Sequence, residues 1–136
     1  MMKFNKLRIG TYNVRGLSTE TKRNYLDQDL KSFDCDIVCL QETKIKDGYD
    51  SVHNNSRIIC FETSTPQYGL GFVINKRVNI KEFWKINDRI CVLQIKLSEK
   101  RICSVINVYT PSQTLPQKIP LLLRNSTINL VKQPLN

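Results

Sequence analysis

The stretch Ile37-Val38-Cys39-Leu40-Gln41-Glu42-Thr43-Lys44 constrains the fold more than any other, because four consecutive apolar residues run directly into a glutamine, an acid, a hydroxyl and a base. A run that is apolar on both faces suits a central strand covered on both sides. A carboxylate just past the carboxyl end of such a strand stands where open α/β sheets place their ligands. The role of Glu42 is therefore the central question posed by the sequence.

The residues before this run supply its neighbours. Leu7 to Asn13 alternates Leu7, Ile9 and Thr11 against Arg8, Gly10 and Tyr12, the pattern of a short strand, and ends in a turn at Val14-Arg15-Gly16. Ser18 or Thr19 can cap a helix whose first turn holds Glu20, where the helix dipole favours an acid. Leu26, Leu30 and Phe33 then form one apolar stripe, while Lys22, Arg23, Gln28 and Asp29 face water. The helix stops near Asp34-Cys35-Asp36. Strand, helix and strand follow one another closely enough for a βαβ unit, which predicts that the two strands are parallel neighbours.

Beyond the central run the pattern changes. Residues 46–56 are polar, include Gly48 and Asn54-Asn55, and read as a surface loop. Short β-type runs follow at 57–62, 71–75, 78–83, 90–97 and 102–109, separated by turn formers such as Asn87-Asp88, and suggest an antiparallel meander. One helix serving that many strands predicts an α+β fold with a mixed sheet, one flanking helix and much of the other face bare. From 113 to 136 prolines interrupt every candidate helix and no acid occurs after Glu99, so this segment reads as a tail of uncertain structure.

Composition narrows the partners. The chain has 136 residues, enough for one domain, and its 21 Lys and Arg against 12 Asp and Glu give a net charge of +9, which favours an anionic partner such as nucleic acid or a membrane surface. Five cysteines without a C-x-x-C pair favour neither a disulfide framework nor a zinc site and fit a reduced intracellular compartment, cytoplasmic or nuclear. Met1 to Arg8 lacks the apolar core of a secretory signal, and no run approaches the roughly 20 apolar residues of a membrane span.

If the first two strands are parallel neighbours, Asn13 and Glu42 emerge together at one edge of the sheet. An amide and an acid there can hold a hard cation such as Mg²⁺, which takes oxygen ligands and keeps several waters. The plainer alternative is a turn asparagine and a surface acid paired with Lys44. Four blocks, Ile9-Gly10-Thr11-Tyr12-Asn13-Val14-Arg15-Gly16-Leu17, Asp36 to Lys44, Tyr68-Gly69-Leu70-Gly71-Phe72-Val73-Ile74 and Ile106-Asn107-Val108-Tyr109-Thr110-Pro111-Ser112, resemble in order the motifs of the endonuclease/exonuclease/phosphatase superfamily. The branch most similar is the apurinic-type endonuclease domain of non-LTR retrotransposons, over about Lys6 to Ser112.

The resemblance implies that Glu42 binds Mg²⁺ or Mn²⁺, that Asn13 arranges metal and phosphate, and that Tyr109 hydrogen-bonds the scissile phosphate. Without it, Tyr109 reads as a satisfied tyrosine at the sheet rim. Gly69 and Gly71 would lie where backbone passes close to the site. Arg15, which stands where the repair-enzyme branch has an acid, and Lys44 would contact DNA or another nucleic acid, although an exposed turn arginine fits Arg15 equally well.

The family's Gly-Asp-x-Asn and Ser-Asp-His motifs, which supply the acids and the histidine that activate water, have no counterpart after Tyr109. The only histidine is His53, in the polar loop. The family fold is a four-layer α/β/β/α sandwich of two similar halves. Residues 1–112 are therefore expected to form the amino-terminal half of that nuclease domain, followed by an unrelated or frame-shifted tail over 113–136. A bare sheet face would then lead the chain to self-associate or to pair with a complementing second half. Two functions follow from this reading: an incomplete Mg²⁺-dependent phosphodiester endonuclease of retroelement type, with weak or no activity alone, or a non-catalytic nucleic-acid-binding remnant. A phosphomonoesterase or lipid phosphodiesterase is a third.

Overall fold

A computed structural model describes residues 6–65 and 67–110 and the backbone of 127–132. β1 (Ile9–Asn13) and β2 (Ile37–Gln41) pair in parallel with Asn13 opposite Gln41, and every residue of β2 is buried. Between them runs α1 (Glu20–Phe33). Thr19 caps it by accepting a hydrogen bond from the Lys22 amide at 3.2 Å, and Asp34 ends it in the left-handed conformation. Leu26 and Leu30 are buried against the sheet as expected. Phe33 is not. It overhangs the edge strand β1, 48% exposed, with its ring edge on Tyr12 at 6.3 Å between centroids.

Part of the segment expected to be a polar loop is a strand. β3 (Tyr49–Val52) lies at the sheet edge and pairs antiparallel with β4 (Ser56–Cys60). Its polar sequence suits an edge, where only one face is covered; Tyr49 and Ser51 are half-buried while Asp50 and Val52 face solvent. Asp50 holds Arg57 of β4 through two hydrogen bonds of 2.8 and 2.7 Å. β5 (Leu70–Asn75) lies between β2 and β4, so the first sheet runs β1-β2-β5-β4-β3.

The mixed sheet with its one flanking helix is thus as the sequence predicts, but the meander divides. Both edges of β5 are already bonded, so the next strand does not pair with it, and the chain leaves the first sheet for a new layer. β6 (Asn79–Asn87), β7 (Ile90–Ser98) and β8 (Arg101–Val108) pair antiparallel in that second sheet. β9 (Thr127–Lys132), within the segment read as a tail, pairs in parallel with β8. The rest of that segment lies outside the described residues.

The side-chain period of two explains the layering. Ile37, Cys39, Leu70, Phe72 and Ile74 of the first sheet meet Cys91, Leu93, Ile95, Cys103 and Val105 of the second in one core. The alternate residues Val38, Leu40, Ile58, Cys60 and Val73 pack under Leu26 and Leu30 of α1. The order is helix, sheet, sheet. The outer side of the second sheet carries Trp84, Val92 and Ile106 in register across three strands, with Trp84 and Ile86 exposed.

Candidate active site

Three strand ends converge on Glu42. Asn13 closes β1, Glu42 follows β2 and Tyr109 follows β8, so the site is assembled from both sheets. Glu42 Oε2 accepts one hydrogen bond from Asn13 Nδ2 at 2.7 Å and another from the Tyr109 hydroxyl at 2.7 Å. The amide orientation follows from its neighbours: the NH₂ faces the carboxylate, and Oδ1 accepts from the Arg15 amide at 3.2 Å. Asn13 therefore orients the acid through its NH₂. Among the described residues Glu42 Oε1 has no hydrogen-bond donor; the cation nearest it is Lys44 Nζ at 3.9 Å.

The backbone here is strained and held from both sides. Arg15, Glu42 and Lys44 all adopt positive φ, at 53°, 58° and 58°. Such residues cost of order 1–3 kcal/mol each and persist where surrounding bonds over-determine them. Those bonds are present. The Gly16 and Leu17 amides donate to the Glu42 and Thr43 carbonyls at 2.7 and 2.8 Å, while the Thr43 and Lys44 amides donate to the Gly69 and Tyr68 carbonyls at 3.1 and 2.8 Å. Gly69 is required: its φ is 115°, and a Cβ there would run into Thr43 Oγ1. At Gly71 a Cβ would strike the Ile59 carbonyl of the neighbouring strand.

Burial pushes the pKa of Glu42 up, but the hydrogen bonds from Asn13 and Tyr109, with the charges of Lys44 and Arg15, outweigh it and hold the acid below the usual carboxylate range. The Tyr109 phenol moves the opposite way, raised by burial and by its bond to the Glu42 carboxylate. At neutral pH the pair is an ionised acceptor and a protonated donor.

Sequence reasoning missed the support behind the site. Gln41, fully buried, donates to Thr11 Oγ1 at 2.9 Å and to Asn107 Oδ1 at 3.0 Å, and Asn107 Nδ2 donates to the Leu40 and Gly71 carbonyls at 2.9 and 3.1 Å. This bridge ties the two sheets together one residue behind Glu42 and two behind Tyr109. The signal was there: Gln41 follows Ile37 and Cys39, and Asn107 follows Cys103 and Val105, on core-facing positions of a two-residue period. Tyr68 was missed as well; its ring lies edge-on to Tyr109 at 6.0 Å.

The remaining expected residues separate. Arg15 and Lys44 are exposed beside Glu42. His53 sits in the turn between β3 and β4, its Nε2 bonded to the Tyr49 hydroxyl at 2.9 Å. Among the described residues no cluster of three His, Cys, Asp or Glu could hold a metal. A cation such as Mg²⁺ nevertheless fits the donor set, because it needs only one or two carboxylates beside water and substrate phosphate, and no described residue donates a hydrogen bond to Glu42 Oε1.

Fold and site define an α/β protein of two facing sheets with one carboxylate framed by an amide and a phenol. Residues 10–110 match the model of the Endonuclease/Exonuclease/phosphatase family, and the chain belongs to that family. Among solved structures it is similar to the catalytic domain of Xenopus laevis APE2, at 18% identity and a TM-score of 0.58 over 78% of this chain and 46% of that one. It is also similar to an AP endonuclease from Archaeoglobus fulgidus, at 21% identity and 0.52 over 78% and 42%. The AP endonuclease LMAP from Leishmania major follows at 15% and 0.56 over 76% and 40%. These likenesses are of fold, and the chain spans less than half the length of each. No curated protein sequence matches the chain. No helix among the described residues is long and apolar enough to cross a membrane.

Proposed function

We propose that the chain carries the metal-binding part of a Mg²⁺- or Mn²⁺-dependent phosphodiester endonuclease of retroelement type, acting on DNA. The convergence of Glu42, Asn13 and Tyr109 from three strand ends supports this most directly. Enzymes of the family generally use divalent metals. Bound to Glu42, the cation would act as a Lewis acid on a phosphoryl oxygen. Asn13 holds the carboxylate by Oε2, which leaves Oε1 for the cation. Tyr109, protonated, gives its one donor to Glu42 in the free chain and would turn it to the phosphate once a cation takes up the carboxylate charge. Arg15 and Lys44 add positive charge beside it, in a chain of net charge +9. The buried free cysteines accord with a reduced intracellular setting.

Hydrolysis also needs a base for the attacking water. Among the described residues no second acid or histidine hydrogen-bonds to Glu42, Asn13 or Tyr109, which favours an incomplete site with weak or no activity alone. The same observation supports the second reading, a nucleic-acid-binding remnant. Nicking of supercoiled plasmid with Mg²⁺ separates them. Nicking by the wild type that Glu42→Ala lowers at least ~100-fold supports the nuclease, by the scale of losing a main electrostatic stabiliser. DNA binding that falls steeply with salt, without any cleavage, supports the remnant.

A further inference from the structure

Beside the Glu42 site, and unused by it, a cleft of about 210 Å³ opens between the end of β1 and the first turns of α1. Tyr12, Val14, Lys22, Tyr25, Leu26 and Asp29 line it. Two exposed aromatic rings form its walls: Tyr12 is 45% and Tyr25 62% exposed. Lys22, Tyr25, Leu26 and Asp29 share one face of the helix by their spacing of three and four. The strand alternation turns Asn13 toward Glu42 and Tyr12 to the opposite, helix side, where the edge of Phe33 supports its ring. Gly16 lies between cleft and site. A Cβ on it would have Lys22 Nζ at 3.6 Å and Lys44 Cδ at 3.9 Å, so the two lysines converge over this glycine.

We propose that this cleft receives one unstacked nucleobase of a single-stranded or locally opened nucleic acid whose phosphate lies over Lys22 and Lys44. Its volume is below the roughly 300 Å³ at which pockets for drug-sized ligands begin, and suits one planar ring system. Flat rings on tyrosine beside a positive ridge are the chemistry of single-strand binding, where aromatic faces stack bases and lysines track the backbone. Asp29 offers an acceptor to an exocyclic amino group. The inference rests on the reading of the ligand as nucleic acid and names where one of its bases goes.

The test uses the full chain with EDTA present to prevent cleavage, and a short single-stranded oligonucleotide containing 2-aminopurine. The emission of that base should change on binding to the wild type and to Tyr12→Phe and Tyr25→Phe. Tyr12→Ala and Tyr25→Ala should each weaken binding roughly 5-fold or more and suppress the emission change, the range seen when a stacking aromatic is removed. Lys22→Gln should flatten the salt dependence by about one unit while keeping the emission response. Unchanged affinity and emission in Tyr25→Ala, whose largely exposed ring makes folding safe, overturns the assignment. Binding without any emission response also overturns it, while leaving the nuclease reading to the Glu42 nicking assay. Absence of binding overturns it as well, and the nuclease reading again stands or falls by the nicking assay with Mg²⁺.

Discussion

At the scale of single residues, Glu42 is ordered by its partners more than by its own preference. Its backbone sits in a region that L-residues avoid, and Asn13 and Tyr109 both spend a donor on one of its oxygens. Removing either donor should raise the Glu42 pKa toward its ordinary value, which carboxyl-detected NMR titration of Asn13→Ala and Tyr109→Phe measures. The stability consequence has a definite sign. With a folded pKa below the unfolded one, the contribution of Glu42 is present above the unfolded value and is lost as pH falls through the folded one. Urea unfolding should therefore show Tyr109→Phe costing about 1–2 kcal/mol at pH 7, as for a hydrogen bond to a charged group, and less once the acid is protonated. An equal loss at pH 7 and in acid would show that Tyr109 acts only through packing.

At the scale of elements, the loop after β2 and the hairpin of β3 and β4 are each pinned by one residue. Gly69 lets the segment leading into β5 lie against Thr43, so Gly69→Ala should lower stability by more than ~1 kcal/mol and loosen the segment carrying Glu42, seen as faster amide exchange at Thr43 and Lys44. Asp27 of α1 is buried and accepts from the Asn55 amide and the Ser56 hydroxyl. Asp27→Ala strands those donors and should cost ~1–3 kcal/mol by urea titration, with Ser56→Ala non-additive in a double-mutant cycle. The helix, its cap and the parallel pair around it were legible because their signals are local: a capping threonine, leucines four apart, an apolar run. Asp27 and β3 were not, since both depend on neighbours distant in the chain. An acid on a helix reads as solvated until a hairpin turn is laid over it.

At the scale of the molecule, the outer side of the second sheet remains apolar at Trp84, Val92 and Ile106, with Ile86 exposed beside it. If that side is covered by a second copy, Trp84→Lys with Ile86→Lys should abolish concentration-dependent association in sedimentation velocity and leave the far-ultraviolet spectrum unchanged. A monomer at all concentrations in the wild type would count against any such cover.

By itself the sequence determined the helix, the parallel pair around it and the family, and singled out Asn13, Glu42 and Tyr109, because periodicity, capping and motif order are written along the chain, whereas β3 and β9 lay in segments that read as loop and tail. The tertiary structure alone decided that the meander continues in a second sheet, since only the strand pairing shows that β5 is bonded on both edges and that β6 joins β7 instead. It also decided that Gln41 and Asn107 lock the two sheets behind the site, and that Asn13 serves the carboxylate through its NH₂. Hydrogen-bond direction and strand order arise between segments far apart in sequence, so only their meeting in space could reveal them.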